Sequence, residues 1–221
     1  MFPNVDCVAV IPASTHNVPT STAQRDPMTP MKKLLAVVML ASPAAVAVAA
    51  PVTYQIDPEH TYPSFDADHM GGLSTWRGKF TKTSGTVTLD RAAKTGAVDV
   101  TVDTASIDFG HAELNQHAKA ADMFNVANYP TATYRGRITE FNGDVPAKVE
   151  GDFTLLGVTK PLVLTVNAFK CMENPMTKAP TCGADASGVF NRGDFGLKMG
   201  LDMGFKPEVT LRIQIEAIQK K

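Results

Sequence analysis

Val209-Thr210-Leu211-Arg212-Ile213-Gln214-Ile215-Glu216-Ala217 decides the fold. Apolar residues occupy every odd position of this stretch and polar residues every even one. Side chains of an extended chain point to alternate faces, so this is a strand with one apolar and one solvated face. Strands of that kind belong to antiparallel sheets. The same period of two recurs upstream. Val98, Val100 and Val102 alternate with Asp99, Thr101 and Asp103, Phe153 and Leu155 with Asp152 and Thr154, and Leu162, Leu164 and Val166 give a fourth strand. Further β-rich stretches run through 78–89, 131–141 and 183–190. Turn chemistry separates them at Asn142-Gly143, at Lys94-Thr95-Gly96 and between Gly157 and Pro161.

Only residues 112–121, with Glu113, Leu114, Gln116 and four alanines, read as helix. About seven to nine strands with one helical interruption argue for an all-β domain, either an antiparallel sandwich or an up-and-down barrel. A closed eight-strand barrel turns one complete set of side chains inward, with room for one small ligand. From the alternation, Phe65, Phe80, Val100, Val102, Phe124, Phe153 and Leu155 are the expected lumen residues. Periodicity leaves open whether such side chains fill the interior or surround an apolar guest.

The 221 residues are 44% hydrophobic and 19% charged, an ordinary globular composition. A net charge of -1 gives no electrostatic footprint for a nucleic acid. The N-terminal part is different in kind. Met31-Lys32-Lys33 precedes an apolar run, Pro43 and the small-residue exit Ala47-Val48-Ala49, the layout of a secretory signal peptide over 31–49. Cleavage after Ala49 is expected, with a spanning helix as the rival reading. Residues 1–30, rich in proline and without periodicity, read as a misassigned or non-structural extension, with translation starting at Met31 or Met28. Arg25, Lys32, Lys33, Asp6 and Asp26 lie in this leader, which leaves 18 basic and 20 acidic side chains in the single domain 50–221.

Cys7 falls upstream of the expected start, and Cys171 and Cys182 remain. Export to an oxidising compartment predicts a disulfide between them, against a redox-active or metal-binding pair. The four histidines of the domain 50–221, His60, His69, His111 and His117, stand at no recognised metal-ligand spacing. No G-x-S-x-G, H-E-x-x-H or phosphate-cradling loop occurs. The carboxylates are spread along polar strand faces. The residues therefore argue for binding and not catalysis, with no cofactor, metal or nucleic acid expected. Met70, Trp76, Met199 and Met203 are candidates for a soft apolar mouth. The glycine-rich stretch 193–207 reads as either a gate or a plain loop.

Several motifs resemble, in order, the YceI-like polyisoprenoid-binding proteins of the bacterial periplasm. They are Tyr54-Gln55-Ile56-Asp57 with His60-Thr61, Phe65, His69-Met70 and Gly78-Lys79-Phe80, then Ala121-Asp122-Met123-Phe124-Asn125 with Tyr129-Pro130. Gly151-Asp152-Phe153-Thr154-Leu155-Leu156-Gly157-Val158-Thr159-Lys160-Pro161 and Asn191-Arg192-Gly193-Asp194-Phe195-Gly196-Leu197 complete the set. The resemblance spans 54–217. It implies a lipocalin-like antiparallel up-and-down β-barrel with one short helix, and a tunnel for a long-chain isoprenoid lipid such as a quinone or polyprenyl phosphate. It also implies a periplasmic location, a homodimer, transient membrane contact and no catalytic residues. Two departures stand out. Asn115-Gln116 replaces an Arg-Asp pair ahead of His117, and Tyr62-Pro63 and Asp66 break the usual apolar alternation before His69. Other readings are a periplasmic partner of a membrane electron-transfer system with a filled barrel, and a metal-assisted enzyme using His60, His69 or His117.

Overall fold

A computed structural model describes residues 50–220. The leader segments 1–30 and 31–49, and Cys7, lie outside the described residues. Eleven strands follow in order: β1 Val52–Ile56, β2 Tyr62–His69, β3 Ser74–Phe80, β4 Thr83–Asp90, β5 Thr95–Asp103, β6 Ile107–Asp108, β7 Thr131–Asn142, β8 Val145–Leu155, β9 Val158–Glu173, β10 Pro180–Asn191 and β11 Glu208–Gln219. One helix, α1 Ala112–Ala118, lies between β6 and β7.

Antiparallel pairing runs β1-β4-β5-β7-β8-β9-β10-β11 and returns from β11 to β1, so eight strands close a barrel. Closure leaves no free edge around that ring. β11 is long enough to serve two partners. Its second half pairs β1 through Ala217 and Ile218, and its first half pairs β2 from Val209 to Gln214. The β2–β3 hairpin thus completes the wall where β1 does not reach. Thr61, almost fully buried, secures the crossing: its hydroxyl donates to Glu216 O and accepts from Glu216 N, both at 3.1 Å.

The structure narrows several sequence expectations. The turn between β8 and β9 is Leu156-Gly157 alone, with both residues at positive φ, and Thr159 to Pro161 already belong to β9. A two-residue loop with this backbone matches the twist of the strands it joins. The stretch 78–89 is two strands broken at Thr81 and Lys82. The helix stops three residues short of expectation, its last carbonyls taken by the Lys119 N–H at Gln116 and His117. Nor is β2 interrupted. Pro63, Phe65 and Ala67 line the interior, while Asp66 points outward between Arg212, at 2.6 Å, and Arg77, at 3.4 Å.

Bulges explain where alternation fails. Asp185 pairs with Ala168 and Ala186 with Val166, so Asn167 is an extra residue in β9. After it the inward parity changes, and Phe169 faces inside where a strict period from Val166 would place Ala168. On the pair β7 and β8, Gly136 stands opposite Gly151. A Cβ at Gly136 would lie 3.0 Å from the Tyr134 ring, and glycine lets that ring lie along the strand. Cys171 and Cys182 are direct neighbours on β9 and β10 and are joined by a disulfide.

Candidate functional site

The barrel interior is hollow. A cavity of about 470 Å³ runs through it, walled almost entirely by apolar side chains. Two packed clusters supply most of the wall and the core behind it. One holds Leu89, Tyr134, Ile138, Val149, Leu162 and Leu164, with Val98, Val100, Val166, Phe169 and Ile213 beside them. The other holds Phe65, Ile107, Ala118, Phe124, Leu155, Phe195 and Leu197, with Phe80, Phe109 and Met123 beside them. Phe153, Phe190 and Leu211 touch both and form the waist between them. Edge-on contacts order the aromatic half: Phe80 on Phe124 at 5.6 Å, Phe65 on Phe109 at 5.7 Å, and a triad of Phe153, Phe190 and Phe195 at 5.3 to 5.4 Å. Such pairs add about 0.5–1.5 kcal/mol each beyond the area they bury.

Phe65, Phe80, Val100, Val102, Phe124, Phe153 and Leu155 all border this cavity. Leu162, Leu164, Val209, Leu211 and Ile213 border it too, and the same alternation identifies them. Tyr134 reaches the lumen as well, alternating with Thr133 and Arg135 on β7; Leu114 and Arg192 also reach it, and no periodic signal marks those two. Tyr134 is buried with its hydroxyl 3.2 Å from Val149 O and 3.1 Å from Leu162 O. One phenol proton is shared between two backbone acceptors. Burial, with the charges of Glu150 and Asp152 adding to it, pushes its pKa up to about 12.

The aromatic end is the polar end as well. The β2–β3 turn, α1 and the segment 192–206 converge there. Asp68 Oδ2 accepts from the backbone of both Gly71 and Lys206 at 2.9 Å, tying the hairpin to that segment. The Lys206 hydrogen bond is the largest influence holding the Asp68 carboxyl below its ordinary pKa. His69 stacks on Trp76 at 4.7 Å and meets the edge of Phe205 at 5.3 Å. Trp76, Met199 and Met203 border the cavity; Met70 does not, and lies exposed beside the turn. Leu73 and Met203 are 74% and 65% exposed, so the rim carries apolar side chains into solvent. The stretch 193–207 is two 3₁₀ turns, Arg192–Phe195 and Leu201–Met203, punctuated by left-handed glycines at 196, 200 and 204.

The histidines do different work from one another. His60 bonds Asp57 at 2.8 Å in the turn after β1, and that hydrogen bond raises its pKa. His111 caps α1, its Nδ1 accepting from Leu114 N at 3.2 Å. His117 borders the cavity. Among the described residues, no three His, Cys, Asp or Glu side chains come together as a metal site would require. Asn115, one of the departures noted in the sequence, builds the corner between β6 and α1. Its Oδ1 accepts from Phe109 N at 2.7 Å and its Nδ2 donates to Asp108 at 2.9 Å. Thr83 Oγ1 is buried against the lumen with no hydrogen-bond partner among the described residues.

A family model described as YceI-like domain matches residues 54–217. Protein YceI of Escherichia coli O17:K52:H18 is 36% identical over 197 residues, covering 86% of this chain and all of that protein. Among solved structures, BcnA of Burkholderia cenocepacia superposes with a TM-score of 0.61 at 24% identity, over 73% of this chain and 99% of that one. A polyisoprenoid-binding domain from Saccharophagus degradans superposes at 0.55 and 14% identity, over 76% and 99% respectively. Those two likenesses concern the barrel fold.

Proposed function

The chain belongs to the YceI-like family, and from that premise and its hollow interior we propose that it binds and carries a long-chain isoprenoid lipid in the periplasm. The observation that carries this reading is the continuous apolar lumen of about 470 Å³, within the ~300–1,000 Å³ of small-molecule sites. Wall atoms facing such a volume forgo the dispersion contacts of a packed core. At ~24 cal/mol per Å³ the deficit is on the order of 10 kcal/mol, comparable with the whole stability of a domain. An apolar chain restores those contacts, and each Å² it removes from water contributes about 25 cal/mol.

A flexible hydrocarbon suits the shape, because the wall is continuous from the rim at Trp76 and Met203 to Phe169 and Ile215 at the far end. The exposed Leu73 and Met203 give the rim an apolar contact for a membrane surface, where a lipid exchanges between bilayer and barrel. Export through the leader at 31–49 would deliver the protein to that surface. Quinones and polyprenyl phosphates are the isoprenoids of this kind that a bacterial envelope offers. Organic extraction of protein purified from its native host, followed by mass spectrometry, tests the proposal. A co-purifying isoprenoid at near-equimolar amount is expected; absence of any lipid, with no uptake of added isoprenoid, would contradict it.

A further inference from the structure

Arg192 is a cation placed in a wall of hydrocarbon. It is the first residue of the 3₁₀ turn after β10, and its side chain borders the cavity and is only 8% exposed. Nη1 donates to Leu197 O at 2.9 Å and Met199 O at 2.8 Å, which folds the segment after it. Among the described residues, Nε and Nη2 find no acceptor, and the guanidinium enters no ion pair. Asp68 is the carboxylate whose field reaches it, yet Asp68 is already held by Gly71 N and Lys206 N. Burial lowers the pKa of the guanidinium from its ordinary value.

A guanidinium carries five N–H donors and no acceptor, so only acceptor oxygens can complete it. A desolvated positive charge is costly until an opposite charge meets it, and a bidentate anion does so best. We propose that Arg192 is the headgroup site of the lumen, and that it selects lipids ending in an anionic group, a phosphate or a carboxylate. This rests on the carrier reading and deepens it. The placement sets the orientation of the guest: head at the rim by the turn after β10 and Asp68 of β2, tail directed past Phe153 toward Phe169. His69 and His117 border the same cavity and supply further N–H donors. A neutral quinone offers carbonyl oxygens but no charge, and ranks below the anions.

The test compares three ligands that share one tail, geranylgeraniol, geranylgeranyl phosphate and geranylgeranoic acid, on delipidated full-length mature protein. Both anions are expected to bind at least about 10-fold more tightly than the alcohol, as a charge-assisted bidentate bond supplies. In Arg192→Gln that ratio falls to about twofold or less. Equal affinities for all three in the wild type, or a ratio kept in Arg192→Gln, overturns the inference while leaving the carrier reading standing. Failure of all three to bind overturns the carrier reading and this inference together. A preference for one anion alone supports the site and identifies its head as phosphate or carboxylate. Independently of any variant, the Arg192 Nε–H resonance should shift when the phosphate is added and not with the alcohol; an unmoved resonance while the phosphate binds overturns the assignment.

Discussion

Below the waist at Phe153, the lumen is a collar of Val, Leu and Ile from β4, β5, β7, β8 and β9, closed by Tyr134 bonding across the strands. Above the waist the wall is aromatic, and Arg192, Asp68, His69 and His117 stand in or beside it. The two halves arise from different parts of the chain. The lower half is regular strand, where the period of two delivers the inward residues up to the bulge at Asn167. Much of the upper half comes from insertions between strands: the β2–β3 hairpin, the connection carrying α1, and the 3₁₀ turns after β10. On the proposed reading, the lower half is a solvent for a tail and the upper half is where its head is read.

The sharpest way to break this comparison is to plug the lower half. Ala186 borders the cavity on β10, and Ala186→Trp fills the space beyond the waist. Covering roughly 100 Å² of wall removes about 2.5 kcal/mol of tail binding, so affinity for an isoprenoid should drop on the order of 50-fold. The thermal midpoint should stay within a few degrees, because the barrel already holds the volume. Circular dichroism beside a binding titration separates the two effects.

A second change acts on the wall and not on the guest. Replacing Cys171 and Cys182 by serine opens the covalent link between β9 and β10 at the far end. For so short a loop the loss is about 3 kcal/mol by denaturant unfolding. Preference among ligand heads, set at the other end, should not change. A shift in head preference would mean that the two ends are coupled and the comparison too sharp.

Tyr134 gives a smaller effect with a clear sign. Its folded pKa of about 12 lies above the ordinary 10.0, so the unfolded chain loses this proton first as pH rises. The stability it contributes is complete below pH ~10 and is lost as pH climbs toward 12, by up to about 2–3 kcal/mol. Tyr134→Phe should cost about 1 kcal/mol at pH 7 and should flatten that alkaline decline. Urea unfolding at pH 8 and pH 11 measures both.

The smallest expected effect lies outside the lumen, at His60. Its hydrogen bond to Asp57 raises the histidine pKa above 6.5, so the pair favours folding most at acidic pH and fades as pH rises through the folded value. Asp57→Asn should lower the His60 titration midpoint, by NMR, with no measurable change in ligand binding.

The same division explains what the sequence discloses. β5, the end of β8, the start of β9 and β11 alternate cleanly, and their inward residues can be read directly, Val100 and Leu155 among them. Asn167 hides Phe169 because a single bulge reverses the faces beyond it. Asp66 resembles an interruption of β2 only until its outward partners Arg212 and Arg77 are seen. At the rim, periodicity has nothing to report. Left-handed glycines and 3₁₀ turns set the path after β10, and the burial of Arg192 runs against the surface placement a charged residue ordinarily takes. His60 and Thr61 stand out in the sequence, and their partners are Asp57 in the turn after β1 and the backbone of Glu216 on β11.

The central claim is that the hollow of this barrel is the binding site for an isoprenoid tail. Calorimetric titration of delipidated protein with geranylgeraniol, wild type beside Ala186→Trp, tests it most directly. The account predicts one site per chain in the wild type, a negative heat-capacity change from burial of apolar surface, and loss of most of the affinity in the plugged variant. No binding to the wild type, or binding that the plug leaves unchanged, would contradict it.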